Sequence, residues 1–144
     1  MRRETLSFED SIARDTAATR QAALESTSWL TAEEIAWSAG LRGKNPVVQV
    51  SRWKRENKVF SVSMVDGTER FPAYLLEPVA WRPLPETASA IAALASTKDG
   101  WGMAYWFASV NSFLGGKRPM DLIGTEPQRV AAAAADEAAG IQHG

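Results

Sequence analysis

The stretch that decides the fold is residues 31–58, which read TAEEIAWSAGLRGKNPVVQVSRWKRENK. Thr31 and Glu34 have the spacing of a capping box, in which each side chain bonds the other residue's backbone, so a helix is predicted to begin here. Gly40 is predicted to end that helix, because glycine adopts the left-handed conformation at low cost. A short helix, a glycine turn and a second helix are typical of a helix-turn-helix.

The second helix is predicted to have Asn45 as its N-cap and Pro46 as its first residue, and to run to about residue 57. On a helical wheel, Val50 and Trp53 share the side that faces the core. The other side carries arginine and glutamine, which can make paired hydrogen bonds to guanine and adenine. We therefore expect this helix to lie in the major groove of DNA. The residues expected to contact DNA are Lys44, Asn45, Gln49, Ser51, Arg52, Arg55, Lys58 and Arg70.

The net charge of −1 conceals a basic segment in the same stretch. Six basic residues and one acid, Glu56, lie between Arg42 and Lys58 inclusive. Binding to DNA depends on local contacts with phosphates and not on the total charge, so this segment suits a DNA footprint. The alternative is that the same helices form a small bundle whose charged side is only solvated.

A β-hairpin is predicted after the second helix. Residues 59–65 alternate between apolar and polar side chains for most of their length, Asp66 and Gly67 follow, and residues 68–75 form a second segment. Asp-Gly between such segments favours a two-residue type I′ turn, which needs positive φ at both central positions. The hairpin makes the arrangement a winged helix-turn-helix, with Asp66 and Gly67 at the tip of the wing and Arg70 available for a phosphate.

The two-residue turn also predicts the register of the hairpin. Val65 is placed opposite Thr68, and Val62 therefore faces Phe71, so that the apolar residues share one face. Pro72 has no N–H to donate to a neighbouring strand, so the second strand of the hairpin is expected at the edge of a sheet.

Three prolines within residues 77–85 divide the chain. Proline interrupts helices and central strands, so this segment is predicted to be a linker. We expect a winged helix-turn-helix domain over residues 1–76, beginning with an amphipathic helix over 7–26, and a small helical domain over 86–144. The expected fold class is mainly α with one β-hairpin. The C-terminal domain is small, so it is expected to pack on the N-terminal half, on a second copy or on a partner.

The composition argues against an enzyme. With no cysteine and a single histidine, His143, the chain offers no thiol nucleophile, no serine–histidine triad and no His- or Cys-rich metal site. A P-loop reading of Gly116-Lys117 fails, because Asn111 replaces the first glycine and Arg118 replaces the serine or threonine. We expect no cofactor and no metal. With no secretion signal and no apolar run long enough for a bilayer, a cytoplasmic protein is expected.

The C-terminal half contains a motif of the form Asn-x-x-Leu-Gly-Gly-x-x-Pro-x-Asp-Leu, preceded by an aromatic helix. Its residues are Trp106-Phe107, Asn111, Leu114-Gly115-Gly116, Pro119 and Asp121-Leu122. This segment resembles the toxin-binding domain of Xre/MbcA/ParS-type antitoxins. The resemblance implies a transcriptional antitoxin that binds a toxin through this domain and its own promoter through a separate DNA-binding domain. The usual toxin is a RES-type enzyme that consumes NAD or transfers from it.

The resemblance also implies a toxin-contacting surface and a role for the C-terminal tail. Its residues here are Trp106, Asn111, Leu114, Gly115, Gly116, Lys117, Arg118 and Ile141. The last helix is expected over 126–139, with Gly140 as its stop and a free tail that carries Ile141. From the residues alone, Trp106 and Phe113 are expected in the core rather than in a ligand cage.

The predicted function is that of an antitoxin which neutralises a RES-type toxin and represses its own operon by binding operator DNA. A homodimer is expected, because paired modules bind two-fold operators more tightly than one module does. The expected dimer interface is the N-terminal helix with Phe8, Ile12 and Leu24. The alternative is an orphan winged-helix transcriptional regulator whose C-terminal part only dimerises.

Overall fold

The structure is a computed structural model that describes residues 16–143, and for residues 141–143 the backbone alone. The helices in this range are α1 (16–25), α2 (Ala32–Ser38), α3 (Val47–Arg55), α4 (Ala88–Ala95), α5 (Gly100–Ala108), α6 (Pro119–Leu122) and α7 (Pro127–His143). The strands are β1 (Trp29–Leu30), β2 (Val62–Ser63) and β3 (Glu69–Pro72), and single 3-10 turns lie at Ala73–Leu75 and Ser112–Leu114. The protein is mainly helical with a small sheet, as the predicted fold class required. Residues 7–15 of the predicted first helix lie outside the described range.

The three strands form an antiparallel sheet in the spatial order β1, β3, β2. The paired residues are Trp29–Pro72 and Leu30–Phe71 between β1 and β3, and Val62–Arg70 and Ser63–Glu69 between β2 and β3. The chain passes from α1 through β1, α2 and α3 into the hairpin of β2 and β3. The hairpin's second strand then returns between β2 and β1, so the sheet joins the start and the end of the N-terminal half.

Both ends of α2 are formed as predicted. The Thr31 hydroxyl accepts a hydrogen bond from the Glu34 N–H at 3.0 Å, and the Glu34 carboxylate accepts one from the Thr31 N–H at 2.8 Å, which confirms the capping box. Gly40 has a φ of +67°, and the N–H groups of Gly40 and Leu41 donate to carbonyls of the last turn. This is a Schellman motif, which directs the chain away from α2 and towards α3.

The start of α3 differs from the prediction. Pro46 and not Asn45 holds the cap position, and no described side chain caps the helix. The first N–H groups donate instead to carbonyls three residues back, from Val48 to Asn45 at 3.1 Å and from Gln49 to Pro46 at 3.2 Å. Because Pro46 has a φ of −62° and a ψ of −24°, the chain enters the helix through a tight turn. A residue whose side chain caps a helix usually has an extended backbone, and the backbone of Pro46 is instead helical.

The register of the hairpin is shifted by one residue from the prediction. Val62 pairs with Arg70, whereas Phe71 was expected opposite it. β3 is also the central strand of the sheet and not an edge strand, contrary to the expectation from Pro72. The proline is tolerated because it is the last residue of β3, and pairing with β2 ends before it, at Arg70.

A longer turn causes the shift. The Met64 N–H donates to the Thr68 carbonyl at 2.8 Å, and the Gly67 N–H donates back to the Met64 carbonyl at 2.9 Å. The predicted two-residue type I′ turn with Val65 opposite Thr68 is therefore wrong. Gly67, at a φ of +86°, is the left-handed residue of a three-residue loop in which Asp66 keeps a negative φ. The Asp66 carboxylate accepts bonds from the Thr68 N–H and hydroxyl, which stabilises this loop.

One hydrophobic core contains residues from both sides of the proline-rich segment. The ring of Phe107 in α5 stacks on Phe60 and on Tyr74, with centroids 5.7 and 5.2 Å away. The indole N–H of Trp101 donates to the Ser63 carbonyl of β2 at 3.1 Å. The C-terminal helices therefore pack on the hairpin side of the N-terminal half, one of the three supports expected for them.

The last helix is longer than predicted. α7 packs along α4 and continues through Gly140 to His143, so Gly140 is not its stop. Glycine inside a helix destabilises it by about 1 kcal/mol relative to alanine. The preceding run 131–135 offsets this cost, because it consists of alanine, the residue with the highest helix propensity. Among the described residues, no helix combines the length and the apolar character that crossing a membrane requires.

Candidate nucleic-acid interface

α3 buries one side and exposes the other. Val50 and Trp53 lie in the core. At about 100° per residue, the direction opposite to them has Val48 and Arg55 at its centre, with a polar residue on either side. The exposed residues of this surface, called here the outward face of α3, are Val48, Ser51, Arg52 and Arg55. Gln49 is half-buried and lies at the edge of this face.

Two of the three basic residues of α3 have no counter-charge among residues 16–140. Within the described residues, neither Arg52 nor Arg55 forms an ion pair or a side-chain hydrogen bond. Lys54 pairs with Glu69 of β3, whose carboxylate also accepts a bond from the Ser61 hydroxyl at 2.6 Å. Burial raises the pKa of Glu69, but the bonds from Lys54 and Ser61 outweigh it and hold that pKa below its usual value. Lys54 thus fastens α3 to the hairpin, and the two arginines face solvent.

The loop before α3 contributes further polar groups. Arg42, Lys44 and Asn45 are all exposed. Within the described part of the chain, the two cations form no ion pair. They directly precede the end of α3 that carries Val48 and Ser51, so the basic surface extends beyond the helix at this end.

An open cleft of about 500 Å³ separates α3 from the hairpin and the start of α2. Ser51 and Arg70 line it together with Thr31 and Glu33, so the structure brings two of the predicted DNA-contacting residues to the same cleft. The Arg70 guanidinium donates to the Thr68 hydroxyl at 2.8 Å, which aims it along the hairpin.

Two carboxylates outside the lining of the cleft, those of Glu34 and Asp66, lie near Arg70 and give its surroundings a mixed charge. Hydrogen bonds from the backbone and then the side chain of Thr31 lower the pKa of Glu34, and hydrogen bonds from Thr68 lower that of Asp66. Arg70 makes a smaller contribution to both shifts. The uncompensated positive charge is therefore concentrated on α3 and on the loop before it, not on the hairpin.

Lys58 lies away from the outward face. It pairs with Glu56 at 3.4 Å and lines a separate cavity with Trp53, Arg82 and Glu86. The other seven predicted DNA-contacting residues lie on the outward face, at its edge, in the loop before α3 or at the cleft. They are Ser51, Arg52 and Arg55 on the face, Gln49 at its edge, Lys44 and Asn45 in the loop, and Arg70 at the cleft.

The Asn111 loop of the C-terminal half closes on itself. The Asn111 N–H donates to the Lys117 carbonyl at 3.0 Å, and the Gly116 N–H donates to the Asn111 carbonyl at 2.9 Å. Gly115 and Gly116 have φ values of +68° and +82°, which confirms the tight turn expected of them. Pro119 begins α6, as predicted. Arg118 makes two bonds to Asp121, at 2.8 and 3.1 Å.

The predicted toxin-contacting residues differ in exposure, and two of them, Asn111 and Arg118, are half-buried. Trp106 and Leu114 are buried, and within the described residues the Trp106 indole N–H has no hydrogen-bond partner. Gly115, Gly116 and Lys117 are exposed. The side chain of Ile141 lies outside the described residues. The exposed set could make direct contact with a partner, whereas the buried residues support the loop.

Two apolar side chains beside this loop were missed. Val110 is 73% exposed and Phe113 is 50% exposed. Phe113 was expected in the core, and that interpretation is wrong, because the 3-10 turn directs Leu114 inwards and Phe113 outwards. A single turn has no periodicity from which the sequence could reveal this orientation.

The structure therefore has two candidate contact surfaces, the outward face of α3 and the exposed apolar side chains of Val110 and Phe113 at the Asn111 loop. No protein family model, curated protein or solved structure matches the chain in comparisons with known proteins.

Proposed function

We propose that the protein is a winged helix-turn-helix DNA-binding repressor, with α3 as its recognition helix and the hairpin of β2 and β3 as its wing. The observation that carries the proposal is the outward face of α3, where Arg52 and Arg55 are exposed beside a hairpin and form no ion pair with any described residue. The hairpin of β2 and β3 follows the two helices directly in the chain, and its strand β3 pairs with β1 before α2, which supports this proposal.

The dimensions of α3 suit the major groove. The major groove is about 12 Å wide, and an α-helix with its side chains is about 10–12 Å across, so the groove admits one helix. The nine residues of α3 give it a length of about 13 Å along the groove. In this pose Arg52 and Arg55 lie at base edges or phosphates, and Ser51 and Gln49 lie at the flanks. Lys44 and Asn45 approach the DNA backbone at the start of the helix, and Arg70 approaches it from the wing.

We further propose that the C-terminal half binds and neutralises a RES-type toxin, so that the protein is an antitoxin that represses its own operon. The resemblance of residues 106–122 to antitoxin toxin-binding domains supports this proposal. The exposed Val110 and Phe113 beside the Gly115-Gly116 turn give the same region an apolar contact surface. The alternative, an orphan winged-helix regulator, would use this surface for dimerisation only.

The DNA-binding proposal is tested with the full-length protein and random duplex DNA. A bound sequence is selected, and its affinity for wild-type protein, Arg52→Ala and Arg55→Ala is measured at several salt concentrations. If an arginine reads a base, its loss should cost about 1–3 kcal/mol at one position of the duplex. If it contacts a phosphate, all duplexes should weaken alike and the salt slope should fall by about one.

Arg129→Ala is the matched control, because Arg129 is an exposed arginine of α7 that pairs with Glu126. This variant should bind DNA like the wild type. Binding that is insensitive to salt and to both α3 substitutions would refute the proposal.

A further inference from the structure

Val48 is the one apolar side chain on the outward face of α3. It is 44% exposed, and Arg52 and Arg55 follow it at i+4 and i+7. Residues with these spacings lie along one stripe of a helix. Val48 therefore lies within the uncompensated basic stripe of α3, at the end that is nearest the loop with Arg42 and Lys44.

Neither helix formation nor packing accounts for a valine at this position. Valine loses side-chain freedom in a helix and forms exposed helices less readily than alanine, lysine or glutamate. Val47 packs against the hydrophobic core, whereas Val48 does not belong to it. Among the residues whose side chains the structure describes, the other exposed large apolar ones lie outside α3, and they are Trp37, Val65, Val79, Val110 and Phe113.

The charges beside Val48 indicate what covers it. Two arginines without counter-charges favour a polyanion over the apolar surface of another protein. The base edges of the major groove present hydrogen-bonding groups at every base pair but an apolar group only at thymine, the C5 methyl. A helix seated in this groove brings the centre of its outward face to the base edges, and Val48 is at that centre.

We propose that Val48 contacts the C5 methyl group of a thymine and makes the protein specific for thymine at that position. The inference rests on the proposed DNA binding and adds the chemical group that one residue recognises.

The test replaces thymine by deoxyuridine, which forms the same base pair but lacks the methyl group. Each thymine of the selected duplex is replaced in turn, and the affinity of the full-length protein is measured. Wild-type protein should lose affinity about fourfold at one or two thymines, the effect of one buried methyl group on a binding constant. Val48→Ala should bind the thymine and deoxyuridine duplexes equally at those positions.

Val79→Ala is the matched control, because Val79 is an exposed valine in the proline-rich segment, outside α3. It should keep the wild-type sensitivity to deoxyuridine. Loss of sensitivity in this variant as well would overturn the assignment. Three other results would also overturn the assignment: wild-type protein that is insensitive at every thymine, a selected duplex without thymine, or a Val48→Ala variant that remains sensitive. None of these results would contradict the DNA-binding proposal. Failure of wild-type protein to bind any duplex would refute both.

Discussion

Gly100, the first residue of α5, lies directly against the backbone of Ser61, which precedes β2. A Cβ atom at Gly100 would be 1.9 Å from the Ser61 carbonyl oxygen. The Ser61 carbonyl belongs to the backbone, so it cannot rotate away from an added Cβ as the end of a long side chain could. The absence of a side chain at Gly100 is therefore what allows α5 to approach the hairpin.

Gly100→Ala should destabilise the fold. We expect the free energy of unfolding to fall by about 1–3 kcal/mol or more, because the added methyl group forces α5 and the hairpin apart. Gly140→Ala is the control, since nothing lies within 4 Å of a Cβ at this helical glycine. It should leave stability unchanged or raise it by up to about 1 kcal/mol. Urea denaturation measures both, and a wild-type midpoint for Gly100→Ala would contradict the packing described.

The Lys54–Glu69 pair should make stability depend on pH. The pKa of Glu69 is lower in the folded protein than the usual value of a glutamate, because Lys54 and Ser61 donate hydrogen bonds to its carboxylate and outweigh the effect of burial. The stabilisation it provides is thus present above the pKa of the unfolded chain and is lost as the pH falls through the folded value. The stability difference between wild type and Glu69→Gln should be larger at neutral pH than below pH 4.

Lys54→Met should reduce the same pH dependence, because it removes one of the two hydrogen bonds that lower this pKa. Denaturation curves of the three proteins across the acid range provide the measurement. Parallel pH profiles for wild type and Glu69→Gln would show that the pair does not stabilise the fold.

Phe113→Asp should abolish neutralisation of the partner toxin without loss of folding. Phe113 is half exposed, so a carboxylate there stays solvated in the free protein but would be desolvated in an apolar interface. The assay tests the antitoxin proposal: cells co-express the protein with a RES-type enzyme, the proposed toxin, and their growth is measured. Val79→Asp, at a valine that is 85% exposed in the proline-rich segment, should remain protective. Full protection by Phe113→Asp would exclude this surface from toxin binding.

The protein should form a homodimer in solution. One winged module has a small footprint on DNA, and two modules on a two-fold operator gain affinity together. Light scattering at micromolar concentration should give about twice the chain mass of 15.7 kDa. A monomer that keeps full operator affinity would contradict this expectation. Of the proposed interface, Leu24 is half-buried in α1, whereas Phe8 and Ile12 lie outside the described residues.

Local chemistry made part of the fold predictable from the sequence. The capping box at Thr31, the Schellman glycine at Gly40 and the left-handed pair Gly115-Gly116 each depend on residues within a few positions of one another. The core side of α3 was likewise readable, because Val50 and Trp53 follow helical periodicity.

Features that depend on pairing across the chain were not predictable in the same way. β1 is two residues long, too short to show an alternating pattern, and exists because Trp29 and Leu30 pair with β3. Two-residue and three-residue loops both accept Asp66-Gly67, so the register could not be chosen from the turn alone. The outward orientation of Phe113 depends on the burial of Leu114 beside it. The continuation of α7 through Gly140 depends on the packing of α7 on α4.

The packing of the Phe107 ring against both Phe60 and Tyr74 has a consequence for how such a chain can evolve. Two domains joined by a simple linker can be exchanged between genes by recombination at that linker. Here the junction at the proline-rich segment cuts through a shared aromatic core, and a new C-terminal half would have to supply its own ring to pack against Phe60 and Tyr74. The two halves of the chain are therefore expected to be inherited together.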